Sequence, residues 1–196
     1  WQMLAGVLLI VGFAFKLAAV PLHFYAADVY QGAATPVTAF LSFVPKASGL
    51  VALIKILDVL GGRSWATPEQ LTNLIAVLAV LTMTFGNILG LLQQNVKRVM
   101  AYSSIAHSGY MLVGVAVLFG TLNTAEVNND PVRDAALRGI LFYLTAYGLT
   151  NAAAFGVLIL LPSRKPANAA PGMATSAETF DDLAGTGRHH PVLGLA

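Results

Sequence analysis

The stretch Thr38-Ala39-Phe40-Leu41-Ser42-Phe43-Val44-Pro45-Lys46-Ala47-Ser48-Gly49-Leu50-Val51-Ala52-Leu53-Ile54 decides the fold. It carries one formal charge, Lys46, with about eight residues, hence roughly 12 Å of helix, on either side. Runs of this kind suit a transmembrane helix, which needs about 20 predominantly apolar residues. Working outward, spans are expected at about Trp1–Val20, Val37–Leu60, Leu71–Leu92, Val99–Gly120 and Ala135–Leu161, with a sixth beginning at His190-Pro191-Val192-Leu193. The whole chain agrees: its 196 residues are 57% hydrophobic and only 10% charged, and the mean hydropathy is +0.71. Soluble domains carry about 25% charged residues. A water-soluble enzyme and a disordered tail are thereby excluded, and a net charge of +2 implies no nucleic-acid partner. The expected fold class is an all-α, polytopic transmembrane helix bundle whose first partner is the lipid bilayer.

With Cys 0 there is no disulfide framework, thiolate metal site, iron–sulfur ligation or cysteine nucleophile, so any redox centre belongs to a partner. No Gly-rich phosphate loop, zinc motif or Ser-His-Asp order is present. The chain starts inside an apolar run and stops inside another, with no targeting peptide. It is therefore expected to be a fragment of one transmembrane domain covering residues 1–196.

The connections read as polar breaks at Ala26–Pro36, Gly61–Gln70, Gln93–Arg98 and Thr121–Asp134. A longer one spans 162–190 as a cytoplasmic or interfacial loop, within which Glu178-Thr179-Phe180-Asp181-Asp182-Leu183 suits a short interfacial helix. Alternating spans place Lys97, Arg98, Arg164, Lys165 and Arg188 on one face and Arg63, Arg133 and Arg138 on the other. The positive-inside rule assigns the first face to the cytoplasm.

An ionisable group at mid-membrane costs at least about 2.5–3.5 kcal/mol on insertion scales and marks a functional position by default. Lys46 is one such group, its stem too short to reach the interface. The bland alternative pins it to carbonyls freed by Pro45. Lys16, five residues before Pro21, either snorkels from a finished helix or sits beside a broken one. Pro21-Leu22-His23-Phe24-Tyr25 stays apolar before Asp28, which favours a helix broken near Pro21, with His23 and Asp28 near the interior in structural or loop roles. Broken backbone at membrane depth is tolerated where it lines a protein cavity. Burial disfavours the charged form of an amine, so a lysine there is the elementary part of a proton relay.

His107, about two and a half turns inside its span among the hydroxyls of Tyr102, Ser103, Ser104, Ser108 and Tyr110, suits proton transfer with an unperturbed pKa of about 6.5. A neutral histidine tying two helices together is the equal alternative. Tyr143, Tyr147 and Asn151 recur at i, i+4, i+8 on one helix face, either as interhelical hydrogen bonds or as the lining of a hydration path. Lys55, near the end of its span, is expected to snorkel, and Lys97-Arg98 to anchor topology. His189-His190 reads as a solvated pair and not as a metal site.

The runs Phe15-Lys16-Leu17-Ala18-Ala19-Val20-Pro21-Leu22-His23, Asp28-Val29-Tyr30-Gln31-Gly32-Ala33, Thr35-Pro36-Val37-Thr38-Ala39-Phe40-Leu41 and Pro45-Lys46-Ala47 resemble the antiporter-like subunit N family of NADH-quinone oxidoreductase, respiratory complex I. Asn95-Val96-Lys97-Arg98-Val99-Met100-Ala101-Tyr102-Ser103-Ser104-Ile105-Ala106-His107-Ser108-Gly109-Tyr110 strengthens the resemblance, which covers nearly the whole chain.

The resemblance implies a proton-translocating subunit that partners other membrane-arm subunits of complex I in a bacterial plasma membrane. It implies no cofactor in this chain, with NADH, FMN, iron–sulfur clusters and quinone handled by partner subunits. Lys16, Lys46 and His107 take the relay positions. Two departures stand out: Tyr25-Ala26-Ala27-Asp28 replaces the family's Trp-Thr-Pro-Asp, and Tyr143, Tyr147 and Asn151 stand where the related subunits L and M carry His, His and Lys. The second favours subunit N. By the same resemblance, the partner glutamate of Lys16 would precede Trp1 and a last charged broken helix would follow Ala196. A subunit of a multisubunit sodium/proton antiporter and a membrane scaffold with structural lysines are the competing readings.

Overall fold

The structure is a computed structural model and describes residues 1–61, 69–121, 131–160 and 179–184. Its helices are α1 (Gln2–Lys16), α2 (Phe24–Gly32), α3 (Thr35–Gly61), α4 (Glu69–Leu91), α5 (Val96–Thr121), α6 (Pro131–Leu160) and α7 (Phe180–Leu183). The last four long apolar runs of the sequence are α3 to α6, each long and apolar enough to cross a membrane. Buried residues make up 67% of the membrane window of α5 against 22% for α4 and α6 and 33% for α3. α5 is therefore the central helix, packed against α2, α3, α4 and α6, while α1 packs against α3 and α4.

The expected first span, Trp1–Val20, is corrected. α1 has 15 residues, roughly 22 Å of helix, short of the ~30 Å hydrocarbon core. It stops at Lys16, five residues before Pro21, because a proline ring collides with the carbonyl of residue i−4, here Leu17, and supplies no amide to the ladder. Ala18 turns the chain with a left-handed φ of 54°. Leu17, Ala18, Ala19 and Val20 are all buried, so the freed amides need partners inside the protein. Ala18 N–H donates to the Phe15 carbonyl (3.0 Å), Ala19 N–H to Ala14 (2.8 Å) and Leu22 N–H to Ala19 (2.7 Å). Val20 N–H reaches out to Thr82 Oγ1 on α4 at 3.0 Å, and the Tyr25 hydroxyl donates a second bond to the Phe15 carbonyl at 2.8 Å.

The expected polar connection Ala26–Pro36 is also corrected, since most of it is helix α2. Ala26, Ala27 and Tyr30 share a face and are buried against α5, and this packing outweighs the polarity of Asp28 and Gln31. Pro45 lies inside α3 without ending it.

α4 and α5 meet most closely. A Cβ added at Gly109 would lie 2.7 Å from both the Cγ and the backbone nitrogen of Met83, so only glycine admits this approach. Lipid tails are as apolar as leucine, and helix association in a bilayer rests on such close packing and on interhelical hydrogen bonds. α6 runs antiparallel to α5: Ile140 packs at Gly114, Tyr143 at His107 and Tyr147 at Ser104. The short helix expected within Glu178–Leu183 is α7, tied to the α4–α5 turn by a bridge between Asn95 and Thr179 and by Phe180 N–H donating to the Gln94 carbonyl at 3.4 Å. The expected sixth span, Arg63, Arg164, Lys165, Arg188 and His189-His190 lie outside the described residues.

Candidate functional site

Lys46 is 4% exposed on α3. Its ammonium donates to the Ser104 carbonyl and, at 2.8 Å, to Ser108 Oγ, both on α5. The Pro45-freed carbonyls of the sequence reading are therefore not its partners. Ser108 in turn donates to the Ser104 carbonyl at 3.1 Å. Hydrogen bonds to a charged donor are roughly twice as strong as neutral ones, and here they are the means by which a buried cation is held without a carboxylate partner among the described residues.

Around Lys46 lies a layer of hydroxyl and amide groups from four helices. Ser104 Oγ is shared by Tyr30 OH of α2 at 3.2 Å and by Tyr147 OH of α6, which donates at 2.7 Å. Tyr147 OH is also 3.2 Å from the Ser42 carbonyl, and Asn151 Nδ2 donates to Ser42 Oγ at 2.5 Å and to Tyr147 OH at 3.2 Å. Tyr147 and Asn151 are buried and Tyr143 half-buried. His107 Nδ1 and Tyr143 OH are 2.6 Å apart, while the His107 ring centroid is 4.9 Å from that of Tyr147. His107 and the three stripe residues are thus brought together beside Lys46 by the antiparallel packing of α5 and α6.

Lys16 is placed differently. It ends α1 with an exposed side chain, its stem running over Gly49, where an added Cβ would lie 3.4 Å from its Cγ and Cδ. A cavity of about 110 Å³ is lined by both lysines together with Tyr25, Tyr30 and Ser104. At about 30 Å³ of liquid volume per molecule it has room for a few waters, and its rim supplies the polar partners that water requires. The two lysine side chains therefore line one hydratable space, and Tyr30 and Ser104 link it to the layer around Tyr147.

Pro21 lies in the break. His23 is half-buried there, with its Nδ1 buried and without a hydrogen-bond partner among the described residues. Asp28 is not near the interior: its side chain is 74% exposed and pairs with Arg98 at 2.8 Å. Lys97 is also corrected. It is 4% exposed, and its ammonium donates to the Ala33 carbonyl at the C-terminal end of α2 at 3.2 Å, where a cation is favoured by the helix dipole. Arg98 donates to Asp28, Gln31 (2.8 Å) and Gln93 (3.1 Å). The pair is thus a fastening for the half-helix α2 and not a simple topology anchor. Lys55 is exposed.

Sequence reasoning passed over Tyr30, Ser42 and Thr38. The signal was available: Thr38, Ser42 and Lys46 recur at i, i+4, i+8 and are all buried, as are Ser104 and Ser108 at i, i+4. No group of three or more His, Cys, Asp or Glu residues able to hold a metal occurs among the described residues.

Residues 1–173 match the family described as NADH:quinone oxidoreductase/Mrp antiporter, TM. The chain is 44% identical over 193 residues to NADH-quinone oxidoreductase subunit N of Myxococcus xanthus, covering 92% of this chain and 36% of that protein. It is 42% identical over 192 residues to subunit N of Trichlorobacter lovleyi, covering 96% and 34%. Among solved structures, a chain of respiratory complex I from Thermus thermophilus with bound aureothin superposes with a TM-score of 0.69 at 33% identity, covering 98% of this chain and 35% of that one. The chain spans about a third of the length of the curated relatives it matches.

Proposed function

Since the chain belongs to the NADH:quinone oxidoreductase/Mrp antiporter transmembrane family, we propose that it is the proton-relaying core of a complex I membrane-arm subunit of the N type. The observation that carries this reading is Lys46, an ammonium buried on α3, held by Ser104 and Ser108, and sharing a hydratable cavity with Lys16. A lysine so placed can give its proton to water in the cavity and take another back, because the space it lines has room for water and is bordered by Tyr30 and Ser104. His107, through Tyr143 and beside Tyr147, lies on the α6 side of the same layer. The pathway runs laterally, from Lys16 through Lys46 toward His107, with Tyr143, Tyr147 and Asn151 orienting water along it without holding charge.

On this reading the chain contains no redox site. NADH, FMN, iron–sulfur clusters and quinone are handled by partner subunits in a bacterial plasma membrane, and the energy of quinone reduction reaches this subunit through its membrane-arm neighbours. The family description also names Mrp antiporters, and the competing reading, a subunit of a multisubunit sodium/proton antiporter, would use the same lysines with a different coupling ion.

The test is Lys46→Ala in the full-length protein within the assembled complex. Proton pumping per NADH oxidised in reconstituted vesicles should fall while the complex still assembles, and Lys46→Arg should not restore it, because arginine keeps its proton with a pKa above about 12. Wild-type pumping by the alanine variant removes Lys46 from the mechanism. Pumping that follows sodium and not protons selects the antiporter reading.

A further inference from the structure

In the buried break after Lys16, the Val20 amide finds its partner outside the segment. Leu17, Ala18, Ala19 and Leu22 donate to carbonyls of Phe13, Phe15, Ala14 and Ala19, and Pro21 has no amide to donate. Val20 N–H instead donates to Thr82 Oγ1 at 3.0 Å. Thr82 is fully buried, and its own proton goes to the Leu78 carbonyl at 2.6 Å. That bond orients the hydroxyl so that its lone pairs are left for Val20.

The height of Thr82 on α4 is set independently. Its neighbour Met83 packs with its backbone nitrogen against Gly109, and Gly109 follows Ser108, which holds the Lys46 ammonium. Thr82 and Ser108 are thus each one residue from a close α4–α5 approach, that of Met83 and Gly109. One of them grips the broken segment behind Lys16, and the other grips Lys46.

We propose that Thr82 is a positioning residue for the relay: by accepting the Val20 amide it indexes the broken segment to the α4–α5 contact, and so sets the distance between Lys16 and Lys46 across their shared cavity. The proposal rests on the relay reading above. Tyr25, which donates to the Phe15 carbonyl, secures the other side of the break from within α2, while Thr82 supplies a hydrogen bond from the break to α4.

The experiment compares Thr82→Val, which keeps the shape and removes the hydroxyl, with Thr82→Ser, which keeps the hydroxyl, in the full-length protein within the assembled complex. Amide hydrogen exchange of the peptide containing Val20 should quicken by about tenfold in the valine variant and stay at the wild-type rate in the serine variant. Pumping per NADH should fall by at least about twofold in the first and recover in the second, with electron transfer to quinone unchanged. Lys46→Ala is measured in the same vesicles. If it pumps normally, the relay reading fails. If it is deficient while Thr82→Val pumps and exchanges like wild type, the positioning role fails and the relay stands. Faster exchange with normal pumping also overturns the positioning role. Should the valine variant not assemble, Thr82→Ala against Thr82→Ser makes the same comparison, and equal pumping by the two overturns the proposal.

Discussion

Replacing Lys46 by methionine should abolish relay while changing the stability of the bundle little, and the structure gives the reason. The substitution removes two charge-assisted hydrogen bonds, to the Ser104 carbonyl and Ser108 Oγ, worth about 1.5–3 kcal/mol each. It also removes a buried charge, whose effective desolvation penalty is several kcal/mol. The acceptors are not orphaned, since Ser108 still donates to the Ser104 carbonyl at 3.1 Å. These contributions nearly cancel, leaving a net change of about 1–2 kcal/mol in either direction. Ser108→Ala behaves oppositely. It deletes one acceptor and leaves the ammonium buried with less compensation, at a cost of about 1.5–3 kcal/mol with nothing regained. The smaller chemical change should therefore be the more destabilising one. Thermal denaturation of the purified complex, followed by loss of the assembled species, ranks the two variants, and vesicle pumping should show the reverse functional order, with Lys46→Met the worse. A Lys46→Met complex clearly less stable than the Ser108→Ala complex would refute the reasoning, for it would mean that the buried cation stabilises the bundle.

Two further outcomes follow from the interhelical packing. Asn151→Leu removes the donors to Ser42 Oγ and Tyr147 OH, bonds that average about 0.6 kcal/mol between membrane helices; pumping should slow by less than in Lys46→Ala, and an equal or larger loss would contradict the hydration role of the stripe. At Gly86 an added Cβ would lie 2.7 Å from the Ala106 backbone nitrogen and 2.9 Å from its Cα, so Gly86→Val should push α4 from α5 at a cost of about 1–3 kcal/mol or more, seen as reduced assembled complex in the membrane; a wild-type yield would show that the α4–α5 contact yields easily.

Local chemistry was legible in the sequence wherever it acts over a few residues. Hydropathy runs located α3 to α6 because burying backbone in hydrocarbon demands helices of that length. A lysine in mid-run marked the candidate site, and Pro21 marked the break, because a proline disturbs its own i−4 neighbour and needs no distant partner. The same local reasoning misjudged Phe24–Gly32, whose polar residues look like a connection until α5 is packed beside Ala26, Ala27 and Tyr30. It also misjudged Lys97, an interfacial charge by its position next to Arg98 but buried at the end of α2 in three dimensions. The partners of Lys46 lie 58 and 62 residues away in sequence, and Thr82 lies 62 residues from Val20. Only tertiary structure decides such pairs, since they depend on the rotation and depth of each helix. Those are set by how near two backbones can come, at Gly109 against Met83, a quantity that belongs to neither helix alone.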